Sequence, residues 1–119
     1  MTPRLTVTPQ VPQAVQACHE LLLWLIPLLD QFPRSRRFTL GERLETGLLK
    51  VLEDLVEAAY SKQKRDALAR ANRQLEINRH FWRLAYELQV IPLKRYEPGA
   101  KLMNELGKPI GGWLRGQAL

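Results

Sequence analysis

Arginine is the residue type with which this chain is best equipped to do chemistry. Between Lys62 and Arg83 there are seven cations (Lys62, Lys64, Arg65, Arg70, Arg73, Arg79, Arg83) against only Asp66 and Glu76. A second group, Arg34, Arg36, Arg37 and Arg43, stands beside the single acid Glu42. A guanidinium grips phosphate or carboxylate through two parallel N–H donors and also stacks on planar groups. Arg79 and Arg83 are four residues apart, one turn on a helix, and so project together. The set Arg34, Arg36, Arg37, Arg65, Arg73, Arg79 and Arg83 is therefore the candidate surface for nucleic acid or for an acidic patch on a protein partner. Binding of this kind is electrostatic, salt-sensitive and weakly sequence-specific. The competing reading is a solvated face in which Arg79 and Arg83 pair with Glu76 and Glu87 at helical spacing.

Other chemistries find no residues to carry them. His19 and His80 are the only histidines and Cys18 the only cysteine. Cys18 and His19 are adjacent and diverge by about 100° on a helix, which is not a metal-ligand spacing. The Glu-x-x-His motif of di-iron bundles is missing, as are hydrolytic triads, phosphate-binding glycine loops and dinucleotide fingerprints. The reading is a binding protein and not an enzyme, with no metal and no cofactor.

At 119 residues with 45% hydrophobic residues and a net charge of +6, the chain is sized for one domain with a real core and a basic surface. A lone cysteine excludes an internal disulfide and fits a reducing compartment. MTPRLTVTPQVPQ lacks the apolar stretch of a secretory signal. The longest apolar run, Leu21 to Leu29, is far shorter than the roughly 20 residues needed to span a bilayer. The expected location is the cytoplasm, with no membrane partner.

The elements that must position the arginines are helices. Residues 1–12, with Pro3, Pro9 and Pro12, read as an extended arm, and residues 13–119 as the folded part. A first helix is expected from Gln13 to about Gln31, deeply buried and disturbed by Pro27. FPRSRRF interrupts the pattern. A second helix is expected from Thr39–Glu42, with Thr39 capping and Glu42 completing a capping box. Its inward face is Leu44, Leu48, Val51, Leu52, Leu55 and Ala59, and Glu45, Glu53, Asp54 and Glu57 make it acidic. The third helix, Lys64 to Val90, carries a core stripe of Leu68, Ala71, Leu75, Trp82 and Ala85 or Tyr86. Ile77, Phe81, Leu84 and Leu88 form a second stripe roughly 120° away. A helix apolar on two sides packs against two things, here the bundle and either the fourth helix or another subunit. The fourth helix is expected from about Pro98 to Arg115, with Leu102, Leu106, Ile110 and Trp113 inward and Pro109 inside. Gly107, Gly111 and Gly112 suggest close backbone approach to a neighbour. The fold class is all-α, an antiparallel four-helix bundle, with Ile77, Phe81, Leu84, Leu88, Gly111 and Gly112 as the expected oligomer interface.

FPRSRRFTLGERLETGLLKVLEDL, the basic third helix with Phe-Trp-Arg-Leu, and ELGKPIGGWLRG together resemble the Avd family, the accessory variability determinants of diversity-generating retroelements. The resemblance covers roughly residues 13–116. It is carried most specifically by Pro33-Arg34, Arg36-Arg37 and Thr39-Leu40-Gly41, and by Gly111-Gly112-Trp113-Leu114. The Pro-Arg/Leu-Gly approach to the second helix is shared with four-helix bundles from ribosomal RNA intervening sequences. The Avd resemblance implies a homopentameric barrel of bundles and a non-catalytic accessory role. It also implies a reverse transcriptase partner and template RNA; the basic surface by itself does not separate RNA from DNA. On this chain Arg79, Arg83 and the Arg34–Arg37 segment match its basic binding positions. Pro109 and the Pro-rich arm depart from the pattern. Two other readings stand beside it: an RNA-binding bundle of the intervening-sequence type without a polymerase, and a structural oligomer whose basic surface serves solubility.

Overall fold

The computed structural model describes residues 11–117. The expected arm therefore lies outside the described residues as far as position 10, and only Val11 and Pro12 of it precede the first helix. Four long helices follow: α1 (Gln13–Leu29), α2 (Glu42–Tyr60), α3 (Arg65–Glu87) and α4 (Leu93–Arg115). There is no strand among the described residues.

Each helix packs against its neighbour in the chain, and α4 closes back onto α1. The pairings run antiparallel. Cys18 of α1 meets Leu48 of α2. Leu44 and Asp54 of α2 meet Asn78 and Arg70 of α3 in reversed order. Trp82 and Leu75 of α3 lie against Tyr96 and Gly107 of α4. The result is an up-and-down four-helix bundle of the kind expected when short connections link amphipathic helices.

The core consists of the stripes that helical spacing picks out: Leu21, Leu25 and Leu29 from α1, Leu44, Leu48, Val51 and Leu55 from α2, Leu68, Ala71, Leu75, Trp82 and Ala85 from α3, and Met103, Leu106 and Ile110 from α4. Cys18 is part of this core, its thiol against the Leu48 carbonyl at 3.8 Å. Burial pushes its pKa from 9.0 up to about 12, so it stays a protonated, inert side chain. Pro27 is accommodated two residues before the end of α1. Leu52, Leu102 and Trp113 are only half-buried, and Met103 takes the innermost place on α4.

Three boundaries differ from the sequence expectation. The segment Arg34–Gly41 is not a loop. It forms a short α-turn, Arg34–Arg36, and then a π-helical turn, Arg37–Gly41, that runs directly into α2. Thr39 therefore caps nothing; its hydroxyl donates to the carbonyls of Ser35 and Arg36, each at 3.4 Å. Pro33 starts the segment, its carbonyl accepting from the backbone N–H of Arg36 and Arg37. Helix α3 stops at Glu87, before Val90, because Gln89 adopts a left-handed conformation (φ 64°). Its N–H bonds to the Tyr86 carbonyl and that of Val90 to the Ala85 carbonyl, a Schellman closure with Gln where Gly is usual. Helix α4 begins five residues before Pro98, with Pro92 just ahead of its first turn, and carries both Pro98 and Pro109 internally.

Candidate functional site

Helix α3 has a groove on each flank, and the two differ in chemistry. Between α3 and α4 lies a pocket of about 280 Å³ lined by Glu76, Arg79, His80, Trp82, Arg83, Tyr96, Ala100, Met103 and Asn104. Between α3 and the start of α2 lies a shallower groove of about 860 Å³, lined by Arg36, Phe38, Thr39, Leu40, Glu42, Arg43, Thr46, Phe81, Leu84 and Leu88.

The polar groove is built on a tightly locked floor. Trp82 is buried, and its indole N–H donates to the Tyr96 carbonyl at 3.0 Å. Tyr96 lies nearly parallel to both Trp82 and Tyr86, with ring centroids at 6.4 and 4.8 Å. Trp24 of α1 meets Trp82 edge to face at 6.0 Å. Gly99 lets α4 approach this closely: a Cβ there would lie 2.6 Å from three atoms of the Trp82 ring. This helix contact fixes the height of Arg79 and Arg83 relative to α4.

Both arginines are exposed and make only partial ion pairs. Arg83 donates through Nε to Glu87 at 2.9 Å, and this hydrogen bond, together with the Glu87 charge, pushes its pKa above the ordinary arginine value. Arg79 reaches Glu76 only at 3.5 Å, through Nη1. No protein acceptor engages the two terminal nitrogens of Arg83 among the described residues, and Arg79 forms no hydrogen bond there. The solvated-face pairing is thus present, but it leaves both terminal nitrogens of Arg83 and one of Arg79 free to meet a phosphate.

The remaining candidate arginines divide. Arg37 is a structural residue: it holds Asp30 at 3.1 Å and Glu45 at 3.9 Å, tying the end of α1 to α2. Arg34 and Arg36 are exposed and have no ion-pair partner among the described residues, and Arg36 lines the apolar groove with Arg43. Arg36 and Arg37 were expected beside Arg79 and Arg83. They lie at the same end of the bundle but on the opposite flank of α3, and the two grooves share no residue. Arg65 and Arg73 are exposed on α3 outside both grooves, Arg65 about 21 Å up the axis from Arg79 at 1.5 Å per residue.

The second stripe of α3 is left uncovered by its own chain. Ile77, Leu84 and Leu88 are 46%, 44% and 47% exposed, Phe81 is half-buried, and Phe38 beside them is 67% exposed. Helix α4 does not cover this face. The glycines of α4 behave differently from expectation. A Cβ on Gly111 or Gly112 would meet only the Arg115 side chain, and one on Gly107 would make ordinary contacts with Leu75 and Arg79. The close approaches are at Gly99 and at Gly47, where a Cβ would collide with the Asn78 amide.

Sequence reasoning missed the polar seam between α2 and α3. Asn78 is fully buried, donating to the Leu44 carbonyl at 3.0 Å and accepting from Gln74 at 2.9 Å. Asp54 is also buried, its Oδ1 beside Arg70 Nε at 3.4 Å and Lys50 Nζ at 3.6 Å, while Oδ2 has no partner. Arg70 also chelates Glu57 at 2.9 Å, which makes it a bundle residue and removes it from the free cations. The available signal was position: Asn78 falls between Leu75 and Trp82 on the core stripe, and Asp54 between Val51 and Leu55. No group of three or more His, Cys, Asp or Glu comes together among the described residues. No helix there is long and apolar enough to cross a membrane.

The chain matches the family described as bAvd-like over residues 13–117, almost all of its length, and it belongs to that family. No curated protein matches it.

Proposed function

We propose that this member of the bAvd-like family is a non-catalytic accessory protein of a diversity-generating retroelement. It binds a reverse transcriptase and the template RNA through its basic surfaces and supports mutagenic cDNA synthesis in the cytoplasm. What supports the binding is the pair Arg79 and Arg83, set over a groove with both terminal nitrogens of Arg83 and one terminal nitrogen of Arg79 unengaged among the described residues. Arg34, Arg36, Arg65 and Arg73, exposed and without ion-pair partners among the described residues, extend the positive field around it. The uncovered stripe Ile77, Phe81, Leu84 and Leu88 supports self-assembly, since each such side chain gains about 1.5–3 kcal/mol on full burial. The family resemblance favours a homopentamer for that assembly.

The test has three parts. RNA affinity measured against salt concentration should fall with a log–log slope of several units, as expected when several phosphates are neutralised. The chain should co-purify with a retroelement reverse transcriptase when the two are expressed together. Light scattering should give a mass well above the 13.8 kDa protomer. A flat salt dependence, or no binding at low salt, overturns the nucleic-acid role. RNA binding without polymerase capture returns the chain to the intervening-sequence type of bundle.

A further inference from the structure

We infer that the α3–α4 groove is a single-nucleotide pocket: it takes one unpaired nucleotide of a single strand, phosphate on Arg79 and Arg83 and base in the groove, and refuses a duplex. The inference rests on the nucleic-acid reading above and specifies what the site holds.

The groove's dimensions carry the argument. At about 280 Å³ it sits at the lower edge of the roughly 300–1,000 Å³ typical of small-ligand pockets. Its α4 wall is low because Ala100 and Asn104 stand where larger side chains would close it. A base stacked inside a duplex cannot enter such a slot, whereas an unpaired base is splayed out at little expense. The chemistry matches a nucleotide from rim to floor. Free guanidinium nitrogens of Arg79 and Arg83 stand on the α3 rim, Asn104 offers an amide donor and acceptor on the α4 rim, and His80 adds a ring nitrogen. Behind the rim Trp82 and Met103 are buried, and half-buried Tyr96 brings an aromatic ring to the surface of the floor. Tyr96 is already stacked against Trp82 and Tyr86, so the base lies over the rim of this cluster with the flat Arg83 guanidinium beside it. Glu76 is the one acid in the lining and sets the end of the slot that phosphate avoids.

The experiment compares a labelled 12-nucleotide RNA, single-stranded or annealed to its complement, on the wild-type protein and two variants. Wild type should bind the single strand about tenfold more tightly than the duplex. Asn104→Trp fills the slot without altering charge, at an exposed position where folding is checked by helical circular dichroism. It should lower single-strand affinity to the duplex value and leave duplex binding unchanged. Arg79→Ala with Arg83→Ala should weaken both. Equal wild-type affinity for the two forms overturns the pocket and needs no variant to do so, as does full single-strand affinity in Asn104→Trp. In either case weaker binding by the arginine variant leaves the wider nucleic-acid role standing. Unchanged binding by the arginine variant overturns both.

Discussion

The two flanks of α3 put similar raw materials to opposite use. On the α4 side, aromatic residues are sunk beneath the surface and arginines stand above them. On the α2 side, Phe38, Leu84 and Leu88 stand at the surface, with Arg36 and Arg43 along the rim. The first flank is rigid below and cationic above, the pattern of a surface that holds a hydrated, charged ligand. The second is greasy with charged edges, the pattern of the core of a protein–protein contact. A single helix can do both because 100° per residue sends Arg79 and Arg83 one way and Phe81, Leu84 and Leu88 another. The lesson is that a doubly amphipathic helix assigns two jobs to two sides, and the sides can be broken separately.

The largest effect should come from beneath the cationic flank. Trp82→Ala empties the contact with Gly99, Tyr96 and Trp24 and should destabilise the bundle by about 3–5 kcal/mol in a denaturant titration. A loss below 1 kcal/mol would mean the floor of the groove is not what holds α3 against α4. Next comes the greasy flank. Leu84→Lys with Leu88→Lys should leave the unfolding midpoint nearly unchanged, because both side chains already face solvent, and should weaken self-association by about a hundredfold on sedimentation. Undiminished assembly would move the contact elsewhere and dissolve the contrast. The cationic flank should respond more modestly. Arg79→Ala with Arg83→Ala should lower RNA affinity about tenfold and flatten the salt slope by about one unit per lost phosphate contact, with oligomer mass intact. An effect on mass in place of affinity would exchange the roles of the two flanks. The smallest change sharpens the picture: Glu76→Gln removes the acid from the polar groove and should tighten RNA binding by about threefold. Looser binding would assign Glu76 to positioning Arg79 instead.

Much of this architecture was legible in the sequence, for a physical reason. Four amphipathic segments with short links leave few ways to bury their stripes, and the stripes of α3 were visible as two separate sets. What spacing did not reveal was anything set by contact between helices. Asp54 and Asn78 are polar, so a hydropathy pattern sends them outward; Arg70, Lys50 and the Leu44 carbonyl allow them inward. Glycines invite the idea of close packing, but only Gly99 and Gly47 have a partner waiting, and that depends on where Trp82 and Asn78 fall on the facing helix. The arginines were found as a set, but their division among an ion pair, two grooves and an open face required the register. Thr39 was misread because a capping box presumes that the helix begins there, whereas Pro33 had already begun it.

That early beginning makes the segment sensitive to its length. The π-helical turn Arg37–Gly41 holds an extra residue, and every residue rotates a helix by about 100°. Downstream, Gly41 is pressed toward Phe32, where a Cβ would sit 3.3 Å from the ring; upstream, Arg37 is anchored to Asp30. The segment is pinned at both ends, so a deletion cannot be absorbed by letting either end swing. Single-letter replacements at Arg34, Arg36 or Phe38 change only what solvent or a partner meets. The number of residues from Pro33 to Leu44 therefore sets the rotation of the whole of α2, and a one-residue deletion there would turn Leu44, Leu48 and Val51 away from the core they now fill.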